Sequence, residues 1–174
     1  MLKKVGCGRA KIEIPLIVSS IVKALKQQIK PPIEGSTGGK KVKGRKRHIV
    51  TDTQGHLLYV QVHAANIHDT VGGCSVFQEA LEKYPTLKGI CADAGYRKTM
   101  EEFVKNILKK TIEISDRISE KWQILPKRWV VERTLSWLNG YRRLAKDFEI
   151  SVSSAENYVM IAHSILLLNR LTKS

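Results

Sequence analysis

The chain has 174 residues, 43% of them hydrophobic, enough to bury one sizeable core and no basis for a second domain, so a single α/β domain is expected. Thirty Lys plus Arg against sixteen Asp plus Glu give a formal charge of +14, the electrostatic footprint of a protein that meets a polyanion, with nucleic acid first. Cys7, Cys74 and Cys91 are scattered and lack a C-x-x-C pairing, which speaks against a disulfide framework or a zinc site and fits a reducing cytoplasm.

The first forty residues carry Lys, Gln, Pro and Gly without a clear period, as in "ALKQQIKPPIEGSTGGKK", and read as poorly structured. The apolar "IPLIVSSIV" is interrupted by Pro15 and has no clear cleavage site, so it does not read as a signal peptide. From Arg47 the pattern becomes orderly. "RHIVTDTQGHLLYVQVHAA" is two β-rich runs around "DTQG", with Asp52 first and Gly55 last as a type I turn prefers, and predicts a hairpin. A helix follows, capped by Asp69 and ended before Pro85, with Gly72 and Gly73 weakening its first turn. "LKGICADAGY" predicts a short buried strand ending in a turn, "RKTMEEFVKNILKK" a helix, "TIEIS" a strand and "SDRISEKWQILP" a connection. Two long helices close the chain, about 126–146 and 153–171. The second includes "YVMIAHSILLL", which is broken by His163 and Ser164 and is too short for the roughly 20 residues of a bilayer span. Core packing is its first reading, with a homo-oligomer interface second.

On the first long helix, a turn of about 100° per residue puts Val131, Leu135 and Leu138 on one side, flanked by Val130, Trp137 and Tyr141. Glu132 falls on the opposite stripe with Arg128, Ser136, Asn139 and Arg143. The plain reading is a solvated Glu paired with Arg128 at i, i+4. Asp93 offers a counterpart, because it ends an apolar strand, and strand ends of α/β sheets are where ligands bind. Brought together, the two carboxylates would make a hard oxygen site suited to Mg²⁺ and to phosphoryl transfer. Trp122, Trp129 and Trp137 could stack on DNA bases, although Trp129 and Trp137 read first as core residues, and the five histidines show no metal-ligand spacing.

"GKKVKGRKRHIVTDTQG", "VHAANIHD", "ADAGY" and "LPKRWVVERTLSWLNGYRRLAKDFE" together resemble the DDE transposases of bacterial insertion sequences, specifically the insertion-sequence-five-like group. The resemblance runs from about residue 38 to 171. It implies a ribonuclease-H-like mixed sheet flanked by helices and a Mg²⁺- or Mn²⁺-dependent enzyme that cuts and joins double-stranded DNA. By that resemblance Asp93 of "ADAGY" is the second catalytic, metal-binding carboxylate and Glu132 of "RWVVERT" the third. The resemblance also turns the charge run Lys40, Lys41, Lys43, Arg45, Lys46 and Arg47, with Arg128, Arg133, Arg142 and Arg143, into a DNA-binding set. Lysines and arginines of this kind position phosphates without reading bases.

The family's first carboxylate belongs to a motif like "IIDSQSVKT". No Asp precedes Asp52 in this chain, and Asp52 is accounted for by its turn. The hypothesis is that residues 1–37 are a frame-shifted reading of the catalytic segment. Read across codon boundaries, the junctions from Ser20 through Gln28 can encode Asp-Ser-Gln-Ser-Val-Lys-Thr-Thr. Those from Ile33 through Gly39 can encode Arg-Gly-Phe-Asp-Gly-Gly, as the family places before "KK". If no such frame lies beneath codons 20 to 27 at the locus, the hypothesis is wrong. Residues 1–37 are thus expected to be an atypical, off-frame or poorly ordered segment, with the sheet's first strand missing or altered. Residues 38–174 would be the C-terminal portion of a DDE catalytic domain. The alternative is an inactive DNA-binding remnant or inhibitor. A basic RNA-binding protein of the ribosomal kind gives no reason for "ADAGY" and "WVVERT" together.

Overall fold

Strand periodicity organises the molecule, because a strand covered by helices on both faces sends successive side chains into two different cores. The computed structural model describes residues 16–23, 35–36, 43–115 and 126–173. Its strands are β1 (Leu16–Lys23), β2 (Gly35–Ser36), β3 (Lys43–Thr51), β4 (Leu57–Ala64), β5 (Gly89–Asp93) and β6 (Thr111–Ser115). Its helices are α1 (Asp69–Lys83), α2 (Thr99–Glu102), α3 (Pro126–Asn139) and α4 (Val152–Leu171). The strands lie in the order β4, β3, β1, β5, β6, with the two-residue β2 also pairing with β3. β1 runs antiparallel to β3 and parallel to β5, β3 and β4 are antiparallel, and β5 and β6 are parallel. This is the expected mixed sheet flanked by helices.

One core holds Ile49, Val60, Val62 and Cys91 against Val131 and Leu138 of α3 and Ala155, Val159 and Ala162 of α4. The other holds Val50, Ile90 and Ala92 against Val76, Phe77 and Ala80 of α1 and Met100 of α2. Neighbours in sequence, Ile49 and Val50 or Cys91 and Ala92, thus face opposite cores. Among the described residues β4 pairs only with β3, and α4 covers its other edge: His163 Nε2 accepts the Leu57 N–H at 3.1 Å and Glu156 accepts the Val62 N–H at 2.8 Å. Such capping blocks pairing with another chain along that edge.

Several expectations need correction. The first strand is present: β1, drawn from the segment expected to be poorly ordered, pairs over all eight residues with β3 and forms the centre of the sheet. Its run Leu-Ile-Val-Ser-Ser-Ile-Val is rich in β-branched residues, whose stiff side chains suit a pleated surface. The remaining part of 1–37 and the connection 116–125 lie outside the described residues, apart from β2. α1 begins as expected, but its N-cap is His68, whose ring accepts from the Thr70 N–H, and Asp69 is the first helical residue. The helix predicted over 97–110 is shorter, an α-helical turn at Thr99–Glu102 passing into a wider π-turn at Phe103–Ile107. α3 stops at Asn139 instead of continuing to 146, because Gly140 ends the helical run and Tyr141–Lys146 fold into successive turns. α4 begins where Ser151 accepts from the Ser154 N–H. The hairpin is as predicted: the Gly55 N–H donates to the Asp52 carbonyl at 3.1 Å, and Gly55 takes φ +90°, a conformation open to glycine.

Candidate active site

Asp93 is the last residue of β5, paired in backbone register with Ser115 of β6. On the other side β5 meets β1 through Leu16↔Cys91 and Ile17↔Ala92, so Asp93 lies one step beyond the last of these pairs, beside the first half of the central strand. A 3-10 turn, Ala94–Tyr96, follows at once. Tyr96 is buried, its hydroxyl 3.1 Å from His48 Nδ1 on β3, and its ring rests on the backbone of α1 at Gly73. That turn is therefore tied into the core immediately after the carboxylate.

α3 packs across β1 from the opposite side. Val131, Thr134 and Leu138 are buried, Val130 and Leu135 half-buried, while Glu132, Ser136 and Asn139 are exposed, as the helical wheel predicts. The two residues after Glu132 set its place along the chain. Arg133 donates to the Gln54 carbonyl at 2.8 Å and Thr134 to the Gly55 carbonyl at 2.9 Å, so the hairpin turn is clamped to α3. A Cβ on Gly55 would meet Thr134 Oγ1 at 2.7 Å, which shows how closely the turn is seated. The Arg133 guanidinium also lies between the rings of Trp129 and Trp137, at 4.6 and 4.7 Å, and Arg170 of α4 lies over Trp137 at 3.9 Å. The expectation that both tryptophans are core residues fails for Trp129, which is 44% exposed. Stacking with arginine, not burial, holds it. The side-chain pairing expected of Glu132 with Arg128 lies outside the described contacts.

Asp52 is consumed by its turn, as its sequence context suggested. Its carboxylate accepts the Gln54 and His56 N–H groups at 2.9 and 2.8 Å and faces His56 Nδ1 at 2.8 Å.

The basic run divides in a way the sequence concealed. β3 is covered on both faces, so Arg45 and Arg47 point with Ile49 towards α3 and α4, while Lys46 and His48 point with Val50 towards α1. Arg45 is 1% exposed and holds both carboxylate oxygens of Asp147, each at 2.5 Å, as well as the Glu149 carbonyl. Arg47 donates to the Leu144 carbonyl at 2.8 Å, and burial pulls its guanidinium below the usual value. Lys46 Nζ bonds the Ile67 carbonyl at 2.7 Å and lies 2.8 Å from Asp69. These three residues, expected on DNA, are instead buried and internally paired, a correction with a plain cause: a charge removed from water must find a partner in the protein. Arg133 is likewise engaged. Arg142 and Arg143 are exposed, Arg143 paired with Glu149 at 2.6 Å and stacked on Tyr158 at 4.3 Å. Lys43 and Arg128 are placed by their backbones in β3 and α3, and Lys40 and Lys41 lie outside the described residues.

Sequence reasoning missed Asp147, which anchors the loop between α3 and α4, and gave no role to His48 and His163. The signal for Asp147 was an acid set inside "RRLAKDFE", opposite an arginine-rich strand.

A family model of the transposase DDE domain matches residues 19–167, most of the chain. The chain belongs to the transposase DDE domain family. A relative of this DDE domain, the putative transposase for insertion sequence element IS402 of Burkholderia cepacia, is 33% identical over 120 residues, 61% of this chain and 54% of that one. The chain thus spans about half the length of that curated relative. Among solved structures, the DDE domain is similar to the HTLV-2 integrase catalytic core domain in complex with magnesium, with TM-score 0.53 and 16% identity over 87% of this chain and 86% of that one. It is also similar to the simian T-cell lymphotropic virus intasome in complex with PP2A regulatory subunit B56 gamma, with TM-score 0.54, 14% identity and coverage of 87% and 47%. At these identities the likeness shows the fold, which is ribonuclease-H-like. No helix among the described residues is long and apolar enough to cross a membrane.

Proposed function

We propose that this DDE domain belongs to a DNA transposase of an insertion sequence, with Asp93 and Glu132 as two of its three metal-binding carboxylates, and that without the third it binds double-stranded DNA but does not complete cleavage. The observation that carries the reading is the juxtaposition on the central strand. β5 ends at Asp93 beside β1, and α3, which bears the exposed Glu132, packs on β1. A carboxylate on β1 would complete a set around a phosphodiester, and β1 contains no acid.

The donor chemistry agrees in kind and not in number. Mg²⁺ or Mn²⁺ takes hard oxygen donors, which Asp93 and Glu132 supply, and two-metal phosphoryl transfer places one ion at the attacking oxygen and one at the leaving oxygen. Among the described residues no group of three or more His, Cys, Asp or Glu side chains gathers to hold an ion. Two carboxylates are fewer than a metal pair requires, and no reaction step is assigned through one. What they support is DNA holding by exposed cations such as Arg142, sequence-independent and steeply weakened by salt.

The missing acid on β1 favours a second reading, an inactive remnant that competes with an intact transposase for DNA ends or for subunit partners. A Mn²⁺-dependent strand-cleavage assay separates the two. It would compare this chain, a frame-restored chain carrying the upstream Asp, and each with Glu132→Gln. Cleavage by the frame-restored chain alone, lost with Glu132→Gln, supports the proposal. Cleavage by the present chain that survives Glu132→Gln sinks the assignment of Glu132. A frame-restored chain that binds DNA and cuts nothing leaves the remnant as the answer.

A further inference from the structure

The consecutive glycines early in α1 meet two facing histidines, His48 buried and His63 half-buried. His48 of β3 is fully buried, its ring centroid 4.6 Å from that of His63 on β4. A Cβ on Gly72 would lie 2.5 Å from His63 Nε2 and 2.7 Å from His48 Nε2, and one on Gly73 would lie 2.5 Å from the Tyr96 ring. The two glycines, which weaken the helix, thus let α1 close over this trio of rings.

A buried imidazole is costly to desolvate, and a Leu or Met of similar size would fill the space without that cost. His48 Nε2 has no hydrogen-bond partner among the described residues, and the hydrogen bond at the ring's other nitrogen goes to the Tyr96 hydroxyl. His63 in turn is held by its Nδ1, 2.9 Å from the Ala64 carbonyl. The polar chemistry of His48 is therefore directed at one group, three residues after Asp93.

We propose that His48, backed by His63, is a positioning residue that fixes the Ala94–Tyr96 turn through the Tyr96 hydroxyl and so sets where β5 presents Asp93. The role of Asp93 rests on the function proposed above; the lock on the turn does not. With the hydroxyl removed, the Tyr96 ring keeps its seat on Gly73, but the turn loses its hydrogen bond to His48 on β3. The backbone of 93–96 then samples other conformations while the core stays intact.

Amide hydrogen exchange on the full chain, with Tyr96→Phe, His48→Met and His48→Asn, reads this directly. Asn carries a polar atom near the position of Nδ1. Exchange at Ala94–Tyr96 should quicken by about tenfold or more in Tyr96→Phe and His48→Met and recover in His48→Asn, with the exchange of β3 and α1 unchanged. Paramagnetic broadening of the Ala94 and Gly95 amides by Mn²⁺ alone should weaken in the same two variants. Unchanged exchange at 94–96 in Tyr96→Phe overturns the lock, and that variant keeps the test open should His48→Met fail to fold. Equal acceleration across the whole sheet overturns it too, by making His48 a core residue only. If the unsubstituted chain shows no Mn²⁺ broadening, the metal-site reading fails, and exchange still decides the lock.

Discussion

Arg45→Ala tests the division of the basic run into cations that build the fold and cations free to meet DNA. In the folded chain Arg45 makes two charge-assisted hydrogen bonds to Asp147 at 2.5 Å, and both side chains are nearly inaccessible. Truncation leaves the Asp147 carboxylate buried with, among the described residues, one long hydrogen bond from the Glu149 N–H at 3.4 Å and the Arg47 charge nearby. Removing one member of a buried ion pair costs about 3–5 kcal/mol, most of it the penalty of the charge left behind. For a domain of this size each kcal/mol moves the melting temperature by about 2–4 °C, so Arg45→Ala should melt about 6–20 °C lower. The double variant Arg45→Met with Asp147→Leu removes the stranded charge and should recover most of that loss. Arg142→Ala should leave the melting temperature unchanged and weaken DNA binding, reducing the salt slope by about one. Circular dichroism melts and fluorescence anisotropy on a short duplex supply both readouts. If Arg45→Ala melts with the parent, or costs more DNA affinity than Arg142→Ala at a temperature where both are folded, the burial argument is refuted.

Acid should destabilise the fold through its histidines. Burial, reinforced by the neighbouring His63, lowers His48 from 6.5 to about 3, and burial also lowers His63 and His163. These rings take up protons more readily unfolded than folded, so stability is full above pH 6.5 and is lost as pH falls from there towards 3. His48 alone contributes a slope of up to about 1.4 kcal/mol per pH unit. Melts of the parent and His48→Met between pH 7.5 and 5 should lie closest at neutral pH and separate in acid, where only the parent loses the His48 contribution; parallel curves would contradict the assignment. Gly55→Ala should cost about 1–3 kcal/mol, combining backbone strain at φ +90° with the 2.7 Å approach to Thr134, and a denaturant midpoint equal to the parent's would show that the turn yields. Asp93→Asn and Glu132→Gln should each abolish the Mn²⁺ broadening at Ala94 while leaving duplex binding within about twofold, since phosphate contacts and metal ligation are separate. Broadening that persists in both variants puts the ion elsewhere.

Local patterns carried much of the fold. The hairpin around "DTQG", the start of α1, the strand "GICAD" and the buried stripe of α3 each follow from chain-neighbour chemistry: turn residues at fixed offsets, caps, and periods of two or 3.6. Both proposed carboxylates could be singled out for the same reason, since a strand-end Asp and a Glu on the polar side of a helix are visible one segment at a time. What the sequence left undecided was everything set by what covers a segment. β1 looked like the weakest part of the chain, because its isolated composition says nothing of the two strands that enclose it. Arg45, Lys46 and Arg47 looked like a surface patch, because a charge run reveals its partners only when Asp147 and Asp69 arrive from 102 and 23 residues away. Two glycines in a helix looked like a defect until the rings of His48, His63 and Tyr96 were found against them. Burial and partner choice are properties of contacts between distant segments, and tertiary structure alone decides those.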